Sequence, residues 1–376
     1  MDITVILVVV VVTALAFDFT NGFHDTANAV ATSIATGALK PRTAVLIAGI
    51  LNLVGAFLSV QVAKTISSGL VDDAKITPTV IFAGLVGAIV WNLLTWLVGL
   101  PSSSSHALIG GLIGATLVAA GADAVKFAGL VGKVLLPAVL SPIIAGLIAL
   151  IATYLAYRIT AHAKPGVVTK GFKLGQIVSG SMVALAHGTN DAQKTMGVIT
   201  LTLITAGALP ANAGPPFWVI LSSGLAIALG TYVGGWRIIQ TLGMRVSAIE
   251  TPQGFAAATS TATVILTSSH LGFPLSTTQV ATGSIFGAGA GRGAGAVHWR
   301  LARHVVFAWL LTLPAAAVVG ALAAWTADTG TLGTIIVALV LVGLSGTIYA
   351  VSRRSQITAD NVNDLPAQSP PVDLAA

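Results

Sequence analysis

Nine apolar stretches, at about 3–37, 43–62, 79–118, 127–157, 174–206, 217–235, 252–290, 302–324 and 333–351, take up roughly two thirds of this chain. Two short polar motifs interrupt them, each present twice and in the same order. Asn21-Gly-Phe-His-Asp25-Thr-Ala-Asn28 returns as His187-Gly-Thr-Asn-Asp191-Ala-Gln-Lys194, an offset of 166 from Asp25 to Asp191. Pro101-Ser-Ser-Ser-Ser105-His106, followed by Gly110 and Gly114, returns as Pro274-Leu-Ser-Thr-Thr278-Gln279, followed by Gly283 and Gly287, an offset of 173 from Pro101 to Pro274. Polar groups are costly in hydrocarbon, so duplicated ones inside apolar runs mark a site built between two repeats. That is the pattern of a secondary transporter.

Only 8% of the 376 residues are charged, against about 25% in a soluble domain, and mean hydropathy is +0.92. The chain therefore reads as an all-α polytopic membrane protein, multi-pass in a lipid bilayer. Forty-one glycines suit close helix contacts in lipid. The absence of cysteine excludes disulfides and thiolate metal sites. A net charge of +6 fits basic loops against anionic lipid, and nucleic-acid binding is not expected. The apolar N-terminus runs into Asp18, Asp25 and Asn28 with no cleavage site of a signal peptide.

A span needs about 20 residues, and the length rule gives about ten to twelve spans. Stretches 3–37 and 174–206 carry Gly/Asn/Asp clusters near their middles and read as broken helices. Stretches 79–118 and 252–290 carry Pro followed by Ser/Thr and read as helices leading into re-entrant hairpins, since irregular backbone at membrane depth must line a cavity. Arg158, His162, Lys164, Lys170 and Lys173 define a cytoplasmic loop by the positive-inside rule. An odd number of crossings between the copies inverts the second half, and the N-terminus comes out external. The expected organisation is a first transmembrane repeat at 1–157, a basic cytoplasmic loop at 158–173, an inverted second repeat at 174–351, and a polar, disordered tail at 352–376.

Asp18, Asp25 and Asp191 are acidic residues well inside apolar stretches. A carboxylate at bilayer depth binds a cation, takes up a proton or pairs with a base. Asp25 and Asp191 are twins; Asp18 aligns with Ala184 and has none. Asn28, three residues after Asp25, shares its helical face and offers an amide oxygen to a hard cation such as Na+. Its twin is Lys194, an ammonium in the slot a mobile cation would fill, which predicts coupling to fewer mobile cations. Ser103, Ser104 and Ser105, and their counterparts Ser276, Thr277 and Thr278, stand at helix starts, where free N–H groups and the dipole hold oxyanions. Two such starts facing each other would hold one tetrahedral anion; the plain alternative is that these residues are N-caps. Gln193 is a further anion donor. His24 and His106 pair with Asn190 and Gln279 across the repeats, so amide replaces imidazole there, which favours hydrogen bonding over an obligatory proton relay.

These motifs resemble those of the inorganic phosphate transporter family (PiT, Pho4-type permeases), over about residues 15–325. The resemblance implies an inverted-repeat helical bundle with broken helices and two Ser/Thr-tipped re-entrant hairpins, commonly a homodimer. It implies symport of inorganic phosphate with H+ or Na+ in a bacterial inner membrane, in some members as a neutral metal–phosphate complex, with no bound cofactor. By position, Asp25, Asn28, Asn190 and Asp191 match the cation-coupling region, with Asp25, Asn28 and Asp191 as ligands if Na+ is the ion. Ser103–Ser105 and Ser276–Thr278 match the phosphate-facing tips. Two departures stand out: Gln279 where many relatives have His, and Lys194 where eukaryotic members often have Asn.

Sulfate is the nearest rival cargo, being a tetrahedral dianion of similar size. An intramembrane serine hydrolase using Ser105 or Ser103 with His106 is the rival from another class. Adjacent residues on one helix point about 100° apart, which works against that pairing.

Overall fold

The computed structural model describes residues 2–364, and the far end of the predicted tail, 365–376, lies outside them. The order is α1 (Ile3–Ala35), α2 (Pro41–Gly55), α3 (Gln61–Gly69), α4 (Pro78–Leu97), α5 (Ser104–Ala120) and α6 (Phe127–Leu130), which passes through a π turn at Val131–Leu135 into α7 (Leu136–Thr160). The second half runs α8 (Pro165–Thr205), α9 (Phe217–Val233), α10 (Trp236–Gln240) with a π turn at Thr241–Arg245, α11 (Thr251–His270), α12 (Thr277–Arg292), α13 (Trp299–Ala327) and α14 (Thr331–Ser352).

The duplication reaches well beyond the motifs. A β-bridge ties Val71 to Val125 in the first half and Ser247 to Val297 in the second. A 3-10 turn follows each hairpin, at Ala122–Ala124 and Ala294–Ala296. Packing is reciprocal: α5 lies on α13 while α12 lies on α7, and α1 lies on α9 while α8 lies on α2. Glycines make the approach possible. A Cβ at Gly110 or Gly114 would meet the carbonyls of Leu313 and Ala317 on α13; at Gly283 or Gly287 it would meet those of Pro142 and Gly146 on α7. The same small-residue logic crosses α1 with α9 at Gly22 and Gly230, and α8 with α2 at Gly188 and Asn52.

Among the described residues, five helices are long and apolar enough to cross a bilayer: α1, α4, the continuous 127–160 segment, α13 and α14, or six when the pair α9–α10, bent by 60°, counts as one span. The expected ten to twelve exceed this because α8 and α11 carry many polar residues and α2 and α5 are short. Apolar side chains such as Leu310, Trp325 and Leu339 stand exposed on α13 and α14, a surface suited to lipid rather than water.

Three expectations need correction. Helices α1 and α8 run unbroken through the Asp25 and Asp191 motifs. Asn and Asp break helices by bonding their own backbone; here His24, Asp25, Asn190 and Asp191 bond sideways to other elements, so the backbone ladder has no local competitor. The breaks fall instead before each hairpin tip, at Val98–Ser103 and Leu271–Ser276. There Gly99 and Gly272 take φ of 67° and 75°, and Pro101 and Pro274 follow. The basic loop is also shorter than 158–173. Pro165 opens α8, so Lys170 and Lys173 are already helical, leaving 161–164 as connection. The tail, finally, begins ordered. Arg237 donates to the carbonyls of Ser352 and Ser355, Gln240 to that of Asp364, Arg42 pairs with Asp360, and Val362 is buried.

Candidate substrate and cation site

Both acidic motifs and both hairpin tips meet at one buried centre. On α1, His24 Nδ1 lies 2.7 Å from Asp25 Oδ1, and Ser104, at the tip of α5, donates to the same oxygen at 3.0 Å. On α8, Asn190 donates to Asp191 Oδ1 at 2.8 Å, and Thr277, at the tip of α12, lies 3.1 Å from Asp191 Oδ2. Ser104 and Thr277 are twins at the offset of 173. Each carboxylate is thus held by its neighbour in sequence and by its own repeat's tip. Thr277 also lies 3.2 Å from Asp25 Oδ2, so one hydroxyl stands between the two carboxylates.

The next pair of twins crosses over. Asn28 donates to Thr278 at 3.1 Å, and Lys194 donates to Ser105 at 2.5 Å; each side chain reaches the tip of the opposite repeat. Lys194 occupies Asn28's equivalent slot, as the sequence indicated, and also contacts Asp191 Oδ1 at 2.5 Å and the Leu275 carbonyl at 3.0 Å. Asn190 donates to that carbonyl too, at 2.9 Å. Lys194 and Asp191 are fully buried. Two carboxylates this close repel each other, and a buried charge needs a partner; the ammonium supplies it on one side only. The twins His106 and Gln279 face each other, 3.4 Å apart.

Other candidates have different work. Gln193, expected as an anion donor, instead accepts from the amides of Val62 and Ala63 at the start of α3 and donates to the Thr189 carbonyl. It is a cap supplied from another helix, with one amide N–H left over. Ser103 and Ser276 are N-caps of α5 and α12, accepting from the amides of His106 and Gln279 at 3.1 and 3.2 Å. Of the tip hydroxyls, Ser104, Ser105, Thr277 and Thr278 are the ones not used as N-caps.

Sequence reasoning missed His187. Its Nε2 lies 3.2 Å from Asp191 Oδ2 and its Nδ1 3.1 Å from Asn52 Oδ1. One ligand atom each from Asp25, His187 and Asp191 falls within 4.8 Å of the other two. The set expected from sequence was Asp25, Asn28 and Asp191; Asn28 keeps a buried, unpaired amide oxygen, but the tight group has His187 in it. The available signal was position: His187 lies four residues before Asp191, on the same helical face. Thr95 and Ser102 were missed as well; they line the far edge of His24, at 3.0 and 3.4 Å from Nε2.

The hydrolase arrangement does not form. Ser105 is bonded to Lys194 and to the Leu275 carbonyl, and Ser103 caps its helix. Ser102, His24 and Asp25 follow the order of a nucleophilic triad, but the Ser102 hydroxyl donates to Thr95 at 2.8 Å rather than to the imidazole.

The model of the family described as "Phosphate transporter family" matches residues 21–320. The chain is 55% identical over 361 residues to the probable low-affinity inorganic phosphate transporter of Mycobacterium tuberculosis (strain ATCC 25618 / H37Rv), covering 95% of this chain and 87% of that one. It is 43% identical over 326 residues to the protein of the same description in Bacillus subtilis (strain 168), covering 86% and 98%. A solved structure titled "The sodium-dependent phosphate transporter" superposes with a TM-score of 0.79 at 26% identity, over 86% of this chain and 99% of that one. Fold, motifs and relatives agree: the chain belongs to the phosphate transporter family, and is a transporter rather than an enzyme.

Proposed function

We propose that this protein imports inorganic phosphate across the bacterial plasma membrane by symport with a monovalent cation, H+ or Na+, and works as a homodimer. The observation that carries the reading is the meeting of Ser104, Ser105, Thr277 and Thr278 with Asp25 and Asp191 at one buried point. Those four residues sit in the first turns of α5 and α12, whose dipoles favour an oxyanion. Hydroxyls donate without committing full charge, so a bound anion is free to leave. Carboxylates beside an anion demand a cation or a shared proton. Phosphate at neutral pH carries a proton it can donate to Asp25 or Asp191; sulfate does not. Lys194 places a tethered ammonium beside Asp191, so the centre requires fewer mobile cations than a version with Asn at both twin positions.

The group Asp25, His187 and Asp191 favours a second reading of the cargo, a neutral divalent metal–phosphate complex whose metal rests on those three residues. Uptake of labelled phosphate into proteoliposomes tests both readings. A pH gradient without Na+, a Na+ gradient without a pH gradient, added Mg2+ and competing sulfate separate the possibilities. Asp25→Asn and Asp191→Asn should abolish accumulation while the protein still inserts; accumulation left intact would overturn the coupling assignment.

A further inference from the structure

The centre described above leaves one buried acid unused. Asp18 lies on α1 seven residues before Asp25, about 10 Å along the helix. It is fully buried, and neither of its carboxylate oxygens has a hydrogen bond. Asn21, one turn on, is also fully buried with both amide atoms unpaired. Thr195 of α8 lies beside Asp18, is equally buried, and makes no hydrogen bond of normal length and angle. Buried polar groups are almost always satisfied, so an unpaired carboxylate with two such side chains beside it calls for a ligand.

From this geometry we infer that Asp18, Asn21 and Thr195 form a binding site for one Na+, separate from the Asp25–Asp191 centre. The donors are a carboxylate, an amide oxygen and a hydroxyl, all hard oxygens, which suit a hard cation and not a soft metal. A single carboxylate neutralises one charge, matching a monovalent ion better than Ca2+ or Mg2+. A proton on Asp18 would serve one of its oxygens, whereas a metal ion draws on the carboxylate, the amide oxygen and the hydroxyl together. The charged groups within electrostatic reach are Asp191, which favours a cation, and Lys194, which opposes one. In the second repeat Ala184 and His187 occupy the positions of Asp18 and Asn21, so the site exists once. Repeat symmetry makes one phosphate site, and departure from it makes one cation site.

The ion's role in coupling rests on the transport reading, but its binding does not, so the test measures binding. Purified full-length protein in lipid nanodiscs, in phosphate-free buffer with choline as counter-cation, is titrated with 22Na+. Wild type should bind Na+, Asp18→Asn should weaken binding at least tenfold, and Thr195→Val several-fold. Asp18-dependent binding should persist in Asp25→Asn. Binding unchanged in Asp18→Asn and Thr195→Val would overturn the site, as would wild type that binds no Na+ and instead exchanges a proton at Asp18. If Asp18→Asn fails to fold, Thr195→Val decides alone. A protein that binds Na+ here but does not move phosphate would refute the transport reading and leave the site standing.

Discussion

Replacing Lys194 with Asn would make the second repeat match the first, and the structure sets the size of the effect. The ammonium sits 2.5 Å from Asp191 with both groups fully buried, and removing one partner of a buried pair costs about 3–5 kcal/mol. Asp191 would keep Asn190, Thr277 and His187 as neighbours, none a fixed cation. At about 1.4 kcal/mol per decade, the loss is at least a hundredfold in the population of the closed centre without Na+. An Asn in that slot offers an amide oxygen beside Asp191 and Ser105, the surroundings Asn28 has with Asp25 and Thr278. Na+ at a hundred times its dissociation constant would return about 2.7 kcal/mol. Phosphate uptake by Lys194→Asn should therefore fall about a hundredfold in Na+-free medium and recover mostly in Na+, with thermal stability following the same order. Lys194→Met, which offers no oxygen, should not recover. If Lys194→Asn matches wild type in both rate and ion requirement, the tethered-cation argument fails.

Ser104→Ala and Thr277→Val each remove one hydroxyl from the carboxylates and should raise the apparent KM for phosphate by about tenfold, the worth of one hydrogen bond to a charged group, with expression unchanged in membrane fractions. Gln193→Ala should leave KM alone and lower thermal stability by about 1–2 kcal/mol, because two amides of α3 lose their acceptor; a KM effect without a stability effect would restore it as a ligand. Gly188→Ala should destabilise by more than about 2 kcal/mol, since its Cβ would overlap the backbone of Asn52, whereas the same change at Gly166, with open space around it, should be near neutral by melting curve.

The candidate site's buried juxtaposition was legible where two copies could be compared. Asp25 and Asp191, the tip hydroxyls and the Asn28–Lys194 exchange all follow from aligning the sequence with itself. What stayed hidden depends on where side chains point. Gln193 adjoins Lys194 in sequence but projects from another side of α8, onto α3, and no periodicity identifies an amide chosen to cap a distant helix. Ser103 and Ser276 sit in runs of hydroxyls whose members split between cap and site by one residue of helical rotation. Continuity of α1 and α8 was illegible for a related reason. Helix-breaking propensity assumes a side chain free to bond its own backbone, and tertiary partners had already claimed His24 and Asn190.

The exchanges between the repeats have an electrostatic consequence. A perfectly symmetric pair would present two carboxylates, two Asn and two hydroxyl tips, and every cation balancing the acids would have to come from solution. Asn28 to Lys194 adds a positive charge on the α8 side, and Asn21 to His187 adds a group that gains charge on protonation. Ala184 to Asp18 adds a negative charge on the α1 side, buried without a hydrogen bond. The positive additions lie against Asp191; the negative one lies a helical stretch from Asp25. If Asp18 binds a cation as proposed, positive charge is part of the protein on one side and the demand for a mobile cation falls on the other. A carrier built this way keeps its anion pocket close to symmetric and makes its ion requirement one-sided, so changes at Lys194 and at Asp18 should shift ion dependence in opposite directions while leaving phosphate recognition to the shared hydroxyls.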